Sequence, residues 1–193
     1  MNDSTHGRDR QGSAILAAPR PVHFHIAHEF DIPVDALELA VISPALVDKF
    51  GAKVRKLKVG VQNVTERGRS LKNGVLERQW HYQANVRIPQ FARGVVTPEM
   101  CAWEEKSVYE MDRHRGRWTI VPNVKPAWQK YFSSSGTYAI EPLGDGRSRR
   151  VIDGDIELRV RVVRQMAERF IVSEVKKAFE AEAATLRDMA TLI

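Results

Sequence analysis

The sequence predicts an α+β chain: a curved antiparallel sheet of about six to seven strands, two short helices after the first strand, and one long C-terminal helix. Three observations predict it. Apolar and polar residues alternate with period two from Val22 to Ile32 and again in several later stretches. Turn-forming Gly and Asn residues separate those stretches closely enough for hairpins, which makes the strands antiparallel. From about Val163 to the terminus neither Gly nor Pro occurs, leaving roughly thirty residues, on the order of 45 Å of helix.

Composition bounds the rest. The chain has 193 residues, 43% of them hydrophobic and 28% charged, which suits one soluble core and excludes a wholly disordered or collagen-like chain. A single cysteine, Cys101, excludes an internal disulfide framework and any zinc site needing two thiolates. No apolar run approaches the roughly eighteen residues that a membrane-spanning helix needs. The net charge of +6 mildly favours anionic partners.

Element by element, Met1 to Pro21 lacks periodicity, and its apolar island Ala14–Ala18 is shorter than the roughly seven residues of a secretory core. Residues 1–21 therefore read as a disordered tail and 22–193 as one domain. Phe24, Ile26, His28 and Phe30 share the buried phase of the first strand, which Pro33 ends. Val34–Leu39 begins a short helix, Pro44 suits the first turn of a second, and Gly51 reads as its stop. Leu57, Val59 and Val61 alternate as the next strand, and Lys72-Asn73-Gly74 reverses the chain into a strand from Leu76 to Ile88. Cys101, Trp103, Glu105, Ser107, Tyr109 and Met111 share one face of a strand; Arg115-Gly116 marks a turn into Trp118 and Ile120. Tyr138 and Ile140 lead to the hairpin signal Gly144-Asp145-Gly146, followed by Ile156, Leu158, Val160 and Val162 on an inward phase. The terminal helix carries a broad apolar stripe that includes Phe170, Ile171, Val175, Phe179 and Leu186.

The local motifs are Phe30-Asp31-Ile32-Pro33-Val34-Asp35 leading into helix, the break Ile88-Pro89-Gln90-Phe91, Gly136-Thr137-Tyr138 opening a late strand, and Ala167-Glu168-Arg169-Phe170 in the last helix. In this order, over about residues 22 to 190, they resemble the helix-grip fold of the START-like (SRPBCC) superfamily, and most of all an uncharacterised bacterial branch of it. That superfamily includes lipid-transfer START domains, plant pollen-allergen relatives and aromatase/cyclase proteins. The Pro89 break followed by Trp103-Glu104-Glu105-Lys106-Ser107 is also similar to the PRELI phospholipid-transfer family.

The resemblance implies a cavity between sheet and long helix. Alternation then assigns the residues that would line it: His28, Arg78, Trp80, Tyr82, Trp103, Glu105, Ser107, Tyr109, Trp118 and Tyr138, with Phe170 from the helix. Apolar walls with a few fixed polar groups are what a small-molecule pocket requires, and Trp and Tyr keep a donor for orienting a ligand. Arg78 and Glu105 are either a polar anchor for a ligand or an internal ion pair, since an unpaired charge there is costly. His28 is a core residue or a proton-transfer group.

Other features read more plainly. His23 and His25 lie on one outward face, and two imidazoles alone do not make a metal site, so no metal is expected. Cys101 has no evident catalytic partner, and no phosphate-binding glycine loop, HExxH or GxSxG pattern is present. Arg87, Phe91 and Arg93 flank an apolar connection suited to transient contact with an anionic membrane. Arg147, Arg149 and Arg150 follow a hairpin and are expected at a solvated tip. Because the aromatics fall on inward phases, nucleic-acid binding is not expected. The expected function is binding or transport of a hydrophobic or amphipathic, lipid-like molecule by a cytoplasmic monomer or weak dimer without a cofactor. The alternative is an aromatase/cyclase-type enzyme acting on a polyketide-like substrate through His28, Glu105 and Tyr82.

Overall fold

The computed structural model describes residues 21–58, 60–85, 101–159 and 164–191. β1 (Val22–Phe30) buries Phe24, Ile26, His28 and Phe30 and exposes the residues between them, as period-two patterning requires. Pro33 is the N-cap of α1 (Val34–Ile42), whose Leu37, Ala40 and Val41 are buried. α2 (Leu46–Leu57) follows and buries Leu46, Val47, Phe50, Gly51 and Val54.

Gly51 does not stop α2. It sits on the buried face, where packing outweighs its low helix propensity of about 1 kcal/mol. The helix ends instead at Lys58, which adopts a left-handed conformation (φ 52°) and turns its N–H back to the carbonyls of Val54 and Arg55. Leu57 therefore belongs to the helix and is exposed, and β2 opens only at Val61; Val59 lies outside the described residues.

β2 (Val61–Lys72), β3 (Val75–Ala84), β4 (Ala102–Glu110), β5 (Arg115–Pro122), β6 (Phe132–Gly144) and β7 (Arg147–Leu158) meander, with a short α3 (Pro126–Gln129) between β5 and β6. Among the described residues they form one antiparallel seven-stranded sheet with β1, in the order β1-β7-β6-β5-β4-β3-β2. Positive φ at Asn73 (51°) and Gly74 (73°), and at Asp145 (51°) and Gly146 (71°), makes both hairpin turns of the type whose twist matches the strands. Irregularities near Val61, Glu66 and Pro142 interrupt the ladders at positions where bulges bend a sheet. The expected strand ends beyond Asn85 and beyond Arg159, including Ile88, Val160 and Val162, lie outside the described residues.

β1 and β2 occupy opposite edges, so α1 and α2 carry the chain from one edge to the other. α4 (Arg164–Ala190) then packs against α1, α2, β1 and β7. Its two halves differ. Ala181, Ala183, Leu186 and Met189 are buried, whereas Ile171, Val172, Val175, Ala178 and Phe179 are only partly so.

Candidate functional site

Register brings the inward residues into rows across the sheet. Tyr82 pairs with Trp103; Trp80 aligns with Glu105 and Ile120. The next row runs Arg78, Ser107, Trp118, Gly136, Gly154 and Phe24, and the one after it Leu76, Tyr109, Gly116, Tyr138, Ile152 and Ile26. A last row aligns Ile140, Arg150 and His28. The expected inward residues of the sheet are thus on the inner face. Arg78, Trp80, Tyr82, Ser107, Tyr109, Trp118, Tyr138 and His28 are buried, while Trp103 and Glu105 are half-buried.

Three glycines let the aromatic rings lie flat. A Cβ on Gly116 would collide with the Tyr138 ring, one on Gly136 with the Asp153 carbonyl and Trp118, and one on Gly154 with Phe24 and Trp118. The missing side chains make room for rings against the sheet backbone. Tyr82 stacks on Trp103 at 5.2 Å between centroids and Tyr109 on Tyr138 at 5.4 Å, while Phe50 of α2 stacks on Trp80 at 6.0 Å.

Polar groups are set into this aromatic floor. The Tyr82 hydroxyl donates to Glu105 Oε2 at 3.2 Å. Burial, then the charge of Glu182, pushes the Glu105 carboxyl up to about 7 against the opposing pull of Arg78. The Tyr82 and Tyr138 hydroxyls are both raised, first by burial. Glu105 as a residue is half-buried. Arg78 Nη1 donates to the Val41 carbonyl at 3.0 Å, and its guanidinium lies 4.7 Å from the centre of the Trp80 ring. Among the described residues, Trp118 Nε1 and the Tyr138 hydroxyl are buried with no hydrogen-bond partner.

Arg150 is a correction. It is not at a solvated tip but buried, with Nη1 donating to Glu182 Oε2 of α4 at 2.8 Å and its guanidinium 5.0 Å from the Tyr138 ring centre. Burial alone would pull the Arg150 pKa down; Glu182, together with Tyr138 and Glu105, offsets this and leaves it raised. Arg149 and Arg147, by contrast, lie on the outer side and pair with Glu141 and Glu29. The inward phase of Ile152 and Ile156 reaches back to Arg150, and Glu182 lies on the α4 stripe between Phe179 and Leu186, so both residues carried a periodic signal.

The expected acid–base set His28, Glu105 and Tyr82 is not one group. Glu105 and Tyr82 meet, but His28 lies six residues along β1 from Val22, which pairs with Ile156 in the Glu105 row. At about 3.3 Å per residue that is roughly 20 Å along the strand. His28 Nε2 instead lies 3.0 Å from Glu180 Oε1. Also unforeseen is Glu38 of α1, whose Oε1 accepts from the Tyr109 hydroxyl at 2.7 Å and lies 2.9 Å from His114 Nδ1. The Tyr109 hydroxyl is raised by burial and by that carboxylate. On the outer face His23 and His25 pair with Asp155 and Asp153 at 3.2 and 2.7 Å. The Phe170 side chain, and Arg87, Phe91 and Arg93, lie outside the described residues.

Among the described residues, no helix is long and apolar enough to cross a membrane. No curated protein matches the chain. Solved structures of similar fold include TTHA0849 from Thermus thermophilus, at 11% identity and TM-score 0.60 over 89% of this chain and 98% of that one. The Zhui aromatase/cyclase from Streptomyces sp. R1128 is similar at 13% identity and TM-score 0.58, over 89% and 94%. Norcoclaurine synthase from Thalictrum flavum is similar at 13% identity and TM-score 0.62, over 99% and 98%, and it has also been solved in complex with dopamine and hydroxybenzaldehyde. At such identities the likeness establishes a shared helix-grip architecture. Residues 25–189 match a family model described as a protein of unknown function, DUF2505, and the chain belongs to that family.

Proposed function

We propose that the chain binds a small apolar or amphipathic molecule between the inner face of the sheet and α4, and that no chemistry is required of it. The observation that carries this reading is the pair of buried donors, Trp118 Nε1 and the Tyr138 hydroxyl, which have no partner among the described residues and lie on an aromatic floor. An unmade buried hydrogen bond costs about 1–3 kcal/mol, and a ligand acceptor would recover it. Apolar ligand area would add near 25 cal/mol per Å² before ordering costs. Glu105 supports the reading, since a half-buried residue whose carboxyl accepts from the Tyr82 hydroxyl suits the wall of a pocket. Norcoclaurine synthase, of the same fold, holds small aromatic molecules.

Trp103, Glu105, Tyr82 and Trp80 belong to the wall in this reading. The cyclase alternative would rely on the Tyr82–Glu105 pair without His28. A phospholipid as cargo, exchanged at an anionic membrane through Arg87, Phe91 and Arg93, is the finer version of the carrier reading; a cytoplasmic monomer or weak dimer suits it.

Native mass spectrometry of the purified full chain, followed by organic extraction, tests the proposal together with tryptophan-fluorescence titration by naphthylethanol. A co-purified apolar compound, or saturable quenching by the probe, is expected. Bare protein mass together with unchanged fluorescence would overturn it.

A further inference from the structure

The buried or half-buried charged side chains of this interior include Arg78, Arg150, Glu38, Glu105 and Glu182, with Glu38 accepting from the Tyr109 hydroxyl. Arg150 and Glu182 pair at 2.8 Å through Nη1. Glu105 is held by Tyr82 and poised near half-protonation at neutral pH. Arg78 is left over. It is 6% exposed, and among the described residues no carboxylate lies within 4 Å of it. Its hydrogen bond to the Val41 carbonyl, one of the last in α1, uses one of the five N–H groups a guanidinium offers. The Trp80 ring compensates the charge only in part. Arginine does not escape burial by losing its proton.

The same row offers more donors. Ser107 pairs with Arg78, so a guanidinium and a hydroxyl occupy adjacent strands about 4.8 Å apart, while the Trp118 indole on the next strand lies over Gly136 and Gly154. Resting on the ligand-binding reading above, we infer that the bound molecule carries a carboxylate and that Arg78, with Ser107 beside it, receives it. The planar fork of Arg78 matches a carboxylate edge. The preferred ligand class is therefore an apolar or aromatic body ending in one carboxylate.

Matched probes test this by calorimetry on the full chain: naphthylacetate and naphthylethanol share a ring system and differ in the terminal group. The wild type is expected to bind the acid at least about tenfold more tightly than the alcohol, the weight of one charge-assisted hydrogen bond. Arg78→Gln is expected to erase that preference, bringing the ratio of the two affinities to about one. Because Arg78 also holds Val41, Arg78→Lys is measured beside it. That variant retains a cation without the fork and is expected to keep a reduced preference. Equal binding of both probes by the wild type would overturn the carboxylate assignment and leave the pocket standing, as would an acid preference that survives intact in a folded Arg78→Gln. If that variant does not fold, an undiminished preference in Arg78→Lys overturns the assignment. Binding of neither probe would overturn the pocket itself and this inference with it.

Discussion

The two halves of α4 cover the sheet in different ways. Toward its C-terminus Ala181, Ala183, Leu186 and Met189 close on a core that includes Leu37, Tyr109 and Ile152, each at most 1% exposed. Toward its N-terminus Ile171, Val175 and Phe179 are only partly buried, as are Trp103, Ile120 and Phe132 on the sheet. The sealed half stabilises the domain through removal of apolar surface from water. The looser half leaves apolar surface incompletely covered. One helix thus serves as core at one end and as roof at the other.

The largest effect tests the junction of the halves. Glu182→Ala would leave Arg150 buried without its counter-charge, and denaturant melts are expected to show a loss of about 3–5 kcal/mol; a loss below about 1 kcal/mol would mean that the pair is wet. Next, Leu186→Ala in the sealed half is expected to cost about 2–5 kcal/mol, against about 1 kcal/mol for Val175→Ala in the looser half. Equal costs would erase the distinction.

A smaller effect follows from the Glu105 carboxyl. The native state holds its proton up to about 7, whereas the unfolded chain releases it near the model-compound value of 4.5. Between those values the native state binds more protons, so this group's contribution to stability falls as pH rises. Glu105→Gln removes the titration, and its melting temperature relative to wild type is expected to be higher at pH 8 than at pH 5; an equal difference at both would contradict the burial of the carboxyl. Smallest, His25→Ala on the exposed outer face is expected to change stability by no more than about 0.5 kcal/mol, and a larger loss in the same melts would give the outer His–Asp pairs structural weight.

Alternation made much of the sheet legible. Phe24, Ile26, His28 and Phe30 in β1, and Ser107 and Tyr109 in β4, are buried on the phase their spacing indicates. Failures came where a three-dimensional neighbour decided the outcome. Gly51 looked like a stop, but packing against β2 carries the helix past it, and Lys58 supplies the left-handed turn. Arg115-Gly116 looked like a turn, yet His114 takes the positive φ while Gly116 makes room for Tyr138. Arg150 looked solvated because arginines flank a hairpin, although its phase with Ile152 already faced inward. The glycine hollows under Phe24, Trp118 and Tyr138 have no local signature, because each depends on a ring from another strand. The site was legible as a set of inward residues; which of them touch was not, since register between strands decides that.

Nuclear magnetic resonance of the indole N–H groups during titration with naphthylethanol probes the interior most directly, because that neutral probe does not depend on Arg78. A ligand between sheet and helix predicts a saturable shift of the Trp118 signal, accompanied by Trp80 or Trp103. Saturable shifts confined to outward residues such as His23 and His25, or no shift at all, would show that nothing enters.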